Sequence, residues 1–239
     1  MHFRVVDLEK IFALESCTEL AVPAEPKLPI CLPSTSIPQK LQQIQAYISE
    51  FEYNYTSKSY VVIKKSKNTR HVWKCAKELI AAALPIQCVE ATYIGLYLTS
   101  IFPQVERIPL SFKSRLRKDA TAVFRHIVLM LRYQGKWGAM GISRRQNLMG
   151  KELRFNSLYD LVKEFQESYE SVCHELQAVY LGLPFPHDTL NNYAVKWKAA
   201  RVSLRQESCV IEAKLNAFAS NINLMTARAS LDSAVVSRL

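Results

Sequence analysis

Residues 83–100 read ALPIQCVEATYIGLYLTS, and the fold class can be inferred outward from them. From Cys88 onward this stretch is almost wholly apolar, which predicts a buried helix over 88–100 with Cys88 in its first turn. The pattern then changes to period two in RIPLSF (107–112), AVFRHIVLMLRY (122–133) and WGAMGIS (137–143), with a turn at Gly135. This order predicts an α+β fold in which the cysteine-bearing helix packs on an antiparallel sheet.

The flanking segments predict helices on both sides of that core. Prolines in 21–38 indicate an extended connector after a short N-terminal helix, and helices are predicted over 38–52, 69–83, 157–180 and 206–230. Strands are predicted for SYVVIKK (59–65) and for the alternating Tyr193, Val195 and Trp197. We therefore expect an N-terminal helical region at 1–58, a main domain at 59–205 and a C-terminal helical extension at 206–239.

Helix 38–52 carries an apolar stripe formed by Leu41, Ile44, Ile48 and Phe51. The simpler interpretation is that this stripe packs on the domain's own core. The alternative is that it forms a seam for a partner helix.

The composition is that of a folded globular chain with its positive charge concentrated in one segment. Hydrophobic residues make up 49% and charged residues 22%, which are globular values. Residues 104–154 hold 12 Lys or Arg against three acidic residues, so most of the formal charge of +10 falls in one segment that favours an anionic partner. The scattered cysteines, the absence of a continuous apolar leader and the lack of a membrane-length run predict a reducing, cytoplasmic location.

Three residues suggest nucleophilic chemistry. Cys88 begins a helix, where unpaired N–H groups and the helix dipole stabilise a thiolate. His126 lies within the apolar strand FRHIVL, where a polar ring needs a partner, and Ser143 follows one strand later. Most free cysteines and strand histidines are core residues, so the order Cys, His, third group supports catalysis without proving it. His71 and Cys75 share one helix face, but no second pair completes a metal site, and no nucleotide-binding motif occurs, so we expect no metal and no cofactor.

Seven segments, in order and nearly in spacing, resemble the vasohibin family: EYNYTS, IKKS, ALPIQCVEA, GLYLTS, ERIPLSFKS, FRHIVL and GAMGISRRQNLM. The resemblance covers roughly residues 28–205. Vasohibins are tubulin tyrosine carboxypeptidases with a transglutaminase-like cysteine-protease fold. The resemblance thus implies that the main domain is catalytic and removes the C-terminal tyrosine of α-tubulin. It also implies association with microtubules and the cytoskeleton, and a small helical partner of the small vasohibin-binding protein type.

Residue roles follow from matching positions. The resemblance implies that Cys88 is the nucleophile, His126 the general base and Ser143 the group that orients the imidazole. It implies that Tyr53 polarises the scissile carbonyl, and that Arg125 and Arg144 hold the terminal carboxylate of the substrate.

One position departs from the family. Vasohibins have lysine directly before the nucleophile, where this chain has Gln87, so the pocket that binds the substrate carboxylate loses one positive charge at this substrate-binding position. We expect substrate binding to be weaker by about tenfold to a hundredfold, and Gln87→Lys to lower KM. Two other functions stay open on the sequence: a catalytically weak module that binds microtubules or another acidic partner, and acyl transfer to an amine.

Overall fold

A computed structural model describes residues 26–28, 34–56, 58–61, 63, 68–118, 121–190 and 192–236, with side chains to residue 227. The predicted N-terminal helix and most of the proline-rich connector lie outside the described residues. Helices run Ile37–Glu50 (α1), Thr69–Ala82 (α2), Cys88–Leu98 (α3), Leu158–Ser171 (α4) and Ser208–Val236 (α5). Strands run Glu106–Leu116 (β1), Val123–Tyr133 (β2), Lys136–Met140 (β3), Lys151–Phe155 (β4), His174–Leu181 (β5) and Ala200–Ser203 (β6).

The strands form one six-stranded antiparallel sheet in the order β4-β3-β2-β1-β5-β6. The long apolar run of β2 is explained by burial on both faces, since successive side chains of a strand point to opposite sides. Leu129 and Leu131 join a core with α1, α2 and α3, whereas Val128 and Met130 join a second core with α4 and α5. The predicted α+β class, with the cysteine-bearing helix on an antiparallel sheet, is confirmed.

The apolar stripe of α1 lies in the protein's own core. Leu41, Ile44, Ile48 and Phe51 are each at most 4% exposed and belong to the cluster that includes α2 and α3. The interpretation of this stripe as a seam for a partner helix is therefore wrong, because those side chains are already covered.

The predicted helix over 157–180 is wrong in its second half. The helix ends at Ser171, Cys173 adopts a left-handed conformation with φ of 62°, and residues 174–181 form β5. Val172 and Leu176 have helical spacing, but β1 needs a partner on its second edge and HELQAVYL supplies it. Pairing across the sheet has overridden the local pattern.

Two other strand predictions fail. The described residues of 59–65, namely 59–61 and 63, form no strand, although Val61 and Ile63 pack partly on the first core. In 193–197 the only pairing among described residues is an isolated bridge from Ala194 to Asn68, and the edge strand begins at Ala200. In that segment Trp197 stacks on Tyr93 with ring centroids 5.5 Å apart and Val195 is partly buried, whereas Tyr193 is exposed, so only part of the alternating pattern reflects burial.

Candidate active site

Cys88 is the first residue of α3, as predicted. Gln87 precedes it in an extended conformation and acts as the N-cap, and its backbone N–H donates to the carboxylate of Glu90 in the first turn. Cys88 is half-buried, and α3 packs directly on β2. A thiol at this position lies at the positive end of the helix dipole, which favours its ionised, nucleophilic form.

Cys88 and His126 line the same open cavity. Phe112, Arg125, Tyr180 and Lys198 also line it. The ring of His126 stacks on Phe112 with centroids 5.9 Å apart and planes 17° from parallel, which fixes the plane of the imidazole. The sequence-predicted nucleophile and base are thus brought to one site from separate elements.

The tautomer of His126 follows from its hydrogen bond. Nε2 lies 3.0 Å from the backbone carbonyl oxygen of Leu148, so Nε2 carries the hydrogen and donates it. In the neutral ring Nδ1 is then an acceptor. Burial lowers the pKa of His126 to about 4, against a smaller opposing effect of the Leu148 carbonyl, so the ring is neutral at pH 7.

Ser143 lies just after β3 and is half-buried. Its Oγ accepts the backbone N–H of Arg145 at 3.4 Å, whereas the hydrogen bond described for the His126 ring goes to Leu148. The orienting role of Ser143 stays a prediction. Sequence reasoning missed Leu148 because a backbone carbonyl leaves no side-chain signature.

Tyr53 is held close to the nucleophile by a parallel bridge to Ile86, two residues before Cys88. Burial raises the pKa of Tyr53, and the charge of the Cys88 thiolate raises it further, so the phenol keeps its proton at pH 7. The guanidinium of Arg144 lies over the Tyr53 ring, 5.7 Å from its centroid, and donates a hydrogen bond to the Tyr53 hydroxyl oxygen. The predicted residues Tyr53 and Arg144 therefore lie together, with Tyr53 attached to the segment that precedes Cys88.

The side chain of Gln87 makes a hydrogen bond within the protein. Its side-chain Nε2 donates to the backbone carbonyl of Thr56 at 2.9 Å, which ties the start of α3 to the segment that carries Tyr53. This hydrogen bond joins the residue that precedes Cys88 to the backbone three residues after Tyr53.

Positive charge surrounds the cavity. Arg125 is exposed at its rim and pairs across the sheet with Lys113, while Lys198 lies over the Tyr180 ring at 4.7 Å. Burial raises the pKa of Tyr180, but a hydrogen bond from Arg201 and the charges of Arg201, Lys113 and Lys198 lower it overall. This local field attracts anionic groups.

Tyr169 is a site residue that the sequence did not identify. It lies on the buried face of α4, 3% exposed, with its ring 5.6 Å from that of Phe112. Burial raises its pKa, and the negative charge of the Cys88 thiolate raises it further. An apolar face of an amphipathic helix gave no signal to separate it from ordinary core residues.

Two negative findings apply to the described part of the chain. No group of three His, Cys, Asp or Glu side chains there is placed to hold a metal ion. No helix there is both long enough and apolar enough to cross a membrane.

Comparison with known proteins gives a family and one curated relative. The family model described as Vasohibin matches residues 5–221. Tubulinyl-Tyr carboxypeptidase 1 of Mus musculus is 38% identical over 193 residues, which are 80% of this chain and 51% of the relative. The chain thus spans about half the length of that curated relative.

Proposed function

Because this chain belongs to the vasohibin family, we propose that it is a cysteine carboxypeptidase that removes the C-terminal tyrosine of α-tubulin. The observation that carries the proposal is the cavity that Cys88 and a neutral His126 share with Arg125. The name of the mouse relative supports the substrate.

In the proposed reaction Nδ1 of His126 takes the proton of the Cys88 thiol. The sulfur attacks the carbonyl carbon that precedes the terminal tyrosine, and the carbonyl oxygen becomes an oxyanion to which the Tyr53 hydroxyl donates. When this intermediate collapses, the C–N bond breaks and the tyrosine amine takes the proton from His126. Water, deprotonated by His126, then hydrolyses the thioester and regenerates the thiol.

We assign the orientation of His126 to the carbonyl of Leu148 in place of Ser143. A third group must hold the imidazole in the tautomer that accepts the thiol proton, and an acceptor 3.0 Å from Nε2 does this.

Arg125 and Arg144 are proposed to bind the terminal carboxylate. Arginine suits this role because its planar fork can donate two parallel hydrogen bonds to one carboxylate. A carboxypeptidase needs such a contact to distinguish a chain end from an internal peptide bond. The surrounding lysines and arginines would attract an acidic tail.

The family resemblance also supports a small helical partner and action at microtubules in the cytoskeleton. The apolar stripe of α1 is excluded as the partner's docking surface, since it is buried. Partner binding therefore remains a proposal without an assigned surface.

The test is hydrolysis of a synthetic acidic peptide that ends in tyrosine, followed by mass spectrometry. We expect loss of one tyrosine with the wild-type chain, none with Cys88→Ala, and full activity with Cys209→Ala, whose cysteine is exposed on α5. The same peptide with a C-terminal amide should resist cleavage because it lacks the carboxylate.

The outcomes separate the alternatives. Peptide binding without tyrosine release would indicate a binding module and contradict the proposal. Tyrosine release that forms an amide product when an amine is added would indicate acyl transfer. Undiminished release by Cys88→Ala would exclude the thiol mechanism.

A further inference from the structure

The segment that carries Tyr53 is attached to the start of the catalytic helix by two backbone hydrogen bonds. The N–H of Asn54 donates to the carbonyl of Ile86 at 2.8 Å, and the N–H of Ile86 donates to the carbonyl of Glu52 at 3.2 Å. These bonds flank Tyr53 and form its bridge to Ile86. The position of the Tyr53 phenol relative to Cys88 therefore depends on how firmly this short segment is held.

After Tyr53 the segment is folded into a tight turn by Asn54, which is 2% exposed. Its Oδ1 accepts the N–H of Thr56 at 2.8 Å, and its Nδ2 donates to the carbonyl of Lys58 at 3.0 Å. The turn leaves the carbonyl of Thr56 pointing at the N-cap of α3, where the Gln87 amide donates to it at 2.9 Å. Gln87 thus adds a third tie, three residues beyond Tyr53.

The N-cap residue Gln87 is also held by the carboxylate of Glu90. The carboxylate of Glu90, buried in the first turn of α3, accepts the backbone N–H of Gln87 and hydrogen-bonds Ser59 in the same segment. Gln87 and Glu90, three residues apart, therefore hold two points of the segment against the helix N-terminus. The Gln87 amide therefore donates to the protein backbone and is not directed at a substrate carboxylate.

We propose that Gln87 is a positioning residue: its amide donates a hydrogen bond to the Thr56 carbonyl and so keeps Tyr53 beside Cys88. The inference rests on the proposed function, in which Tyr53 donates to the oxyanion. The role differs from the contact with the substrate carboxylate that the sequence suggested for this position. A positioning role acts on turnover through Tyr53, whereas a carboxylate contact acts on substrate binding.

The first test is Gln87→Met, which keeps the length of the side chain and removes its donor. We expect kcat on the tyrosine-ending peptide to fall by about three- to tenfold, the effect of one hydrogen bond, with KM changed less than about twofold. Gln43→Met, at an exposed position of α1, is the matched control and should leave both constants unchanged. A rise in KM with unchanged kcat, or no change in either constant, would overturn the proposal.

A double-mutant cycle tests whether Gln87 acts through Tyr53. In a Tyr53→Phe background the oxyanion donor is absent, so Gln87→Met should then lower kcat by less than about twofold. A full three- to tenfold loss in that background would show that Gln87 acts elsewhere and would contradict the positioning role.

Hydrogen exchange gives a reading that does not depend on turnover. Amides of residues 52–60, including Asn54, should exchange faster in Gln87→Met than in wild type, while those of β1 and β2 stay unchanged. If the wild-type chain releases no tyrosine, the proposed function fails, and this measurement alone decides whether Gln87 holds the segment. Unchanged exchange over 52–60 would overturn the proposal that Gln87 holds this segment.

Discussion

Lowering the pH from 7 to 5 should destabilise the folded protein through His126. Burial lowers the folded-state pKa of His126 to about 4 from its ordinary value of 6.5. Between these values the unfolded chain binds a proton that the folded chain does not, so stability falls as the pH drops through 6.5 and continues to fall until about pH 4. At pH 5 the loss from this residue is about 2 kcal/mol, and at pH 7 it is close to zero.

The perturbation that isolates this effect is His126→Gln, which offers an amide donor to the Leu148 carbonyl and does not titrate. Urea unfolding at pH 8, 7 and 5 gives the difference in unfolding free energy between variant and wild type. We expect this difference to be constant from pH 8 to 7 and to shift by about 2 kcal/mol in favour of the variant at pH 5.

The result also bears on the proposed mechanism. A neutral ring can accept the thiol proton, whereas a ring already charged in the resting enzyme would mean that Cys88 and His126 rest as an ion pair. A difference independent of pH would refute the lowered pKa, and a shift in favour of wild type at pH 5 would also contradict the neutral resting base.

Three further substitutions test other parts of the structure. Tyr53→Phe should lower kcat by about 10² to 10³, the usual loss of one oxyanion donor, and leave the urea midpoint nearly unchanged; an equal loss of stability would point to a packing role. Ser143→Ala should lower kcat by less than about threefold in peptide kinetics, because the Leu148 carbonyl already orients His126, whereas a loss near 10³ would assign Ser143 the orienting role. Gly138→Ala should cost about 2 kcal/mol in urea unfolding, since its Cβ would lie 2.9 Å from the backbone of Glu152 and Leu153; a neutral result would show that β4 can shift.

The sequence predicted the parts of the fold that repeat a simple period. The apolar helix that begins at Cys88, the long strand with His126 and the turn at Gly135 are all present as expected. The helical spacing of Val172 and Leu176 predicts helix where β5 forms, and only the need of β1 for a second neighbour shows otherwise. Local patterns do not contain that information.

The candidate site was predictable where side chains carry the chemistry. Cys88 and His126 were identified by type and position, and they line one cavity. The hydrogen bond to the Leu148 carbonyl, the hydrogen bond from Gln87 to Thr56 and the packing of Tyr169 on Phe112 depend on backbone geometry and tertiary contacts, which residue identity does not encode.

The most direct measurement of the central claim is the mass of the enzyme during turnover. Rapid acid quenching of the wild-type chain with the tyrosine-ending peptide, followed by intact-mass and peptide mapping, should show the peptide without its tyrosine attached to Cys88. Release of tyrosine with the adduct on another residue would contradict a thioester at Cys88, as would release that continues in Cys88→Ala.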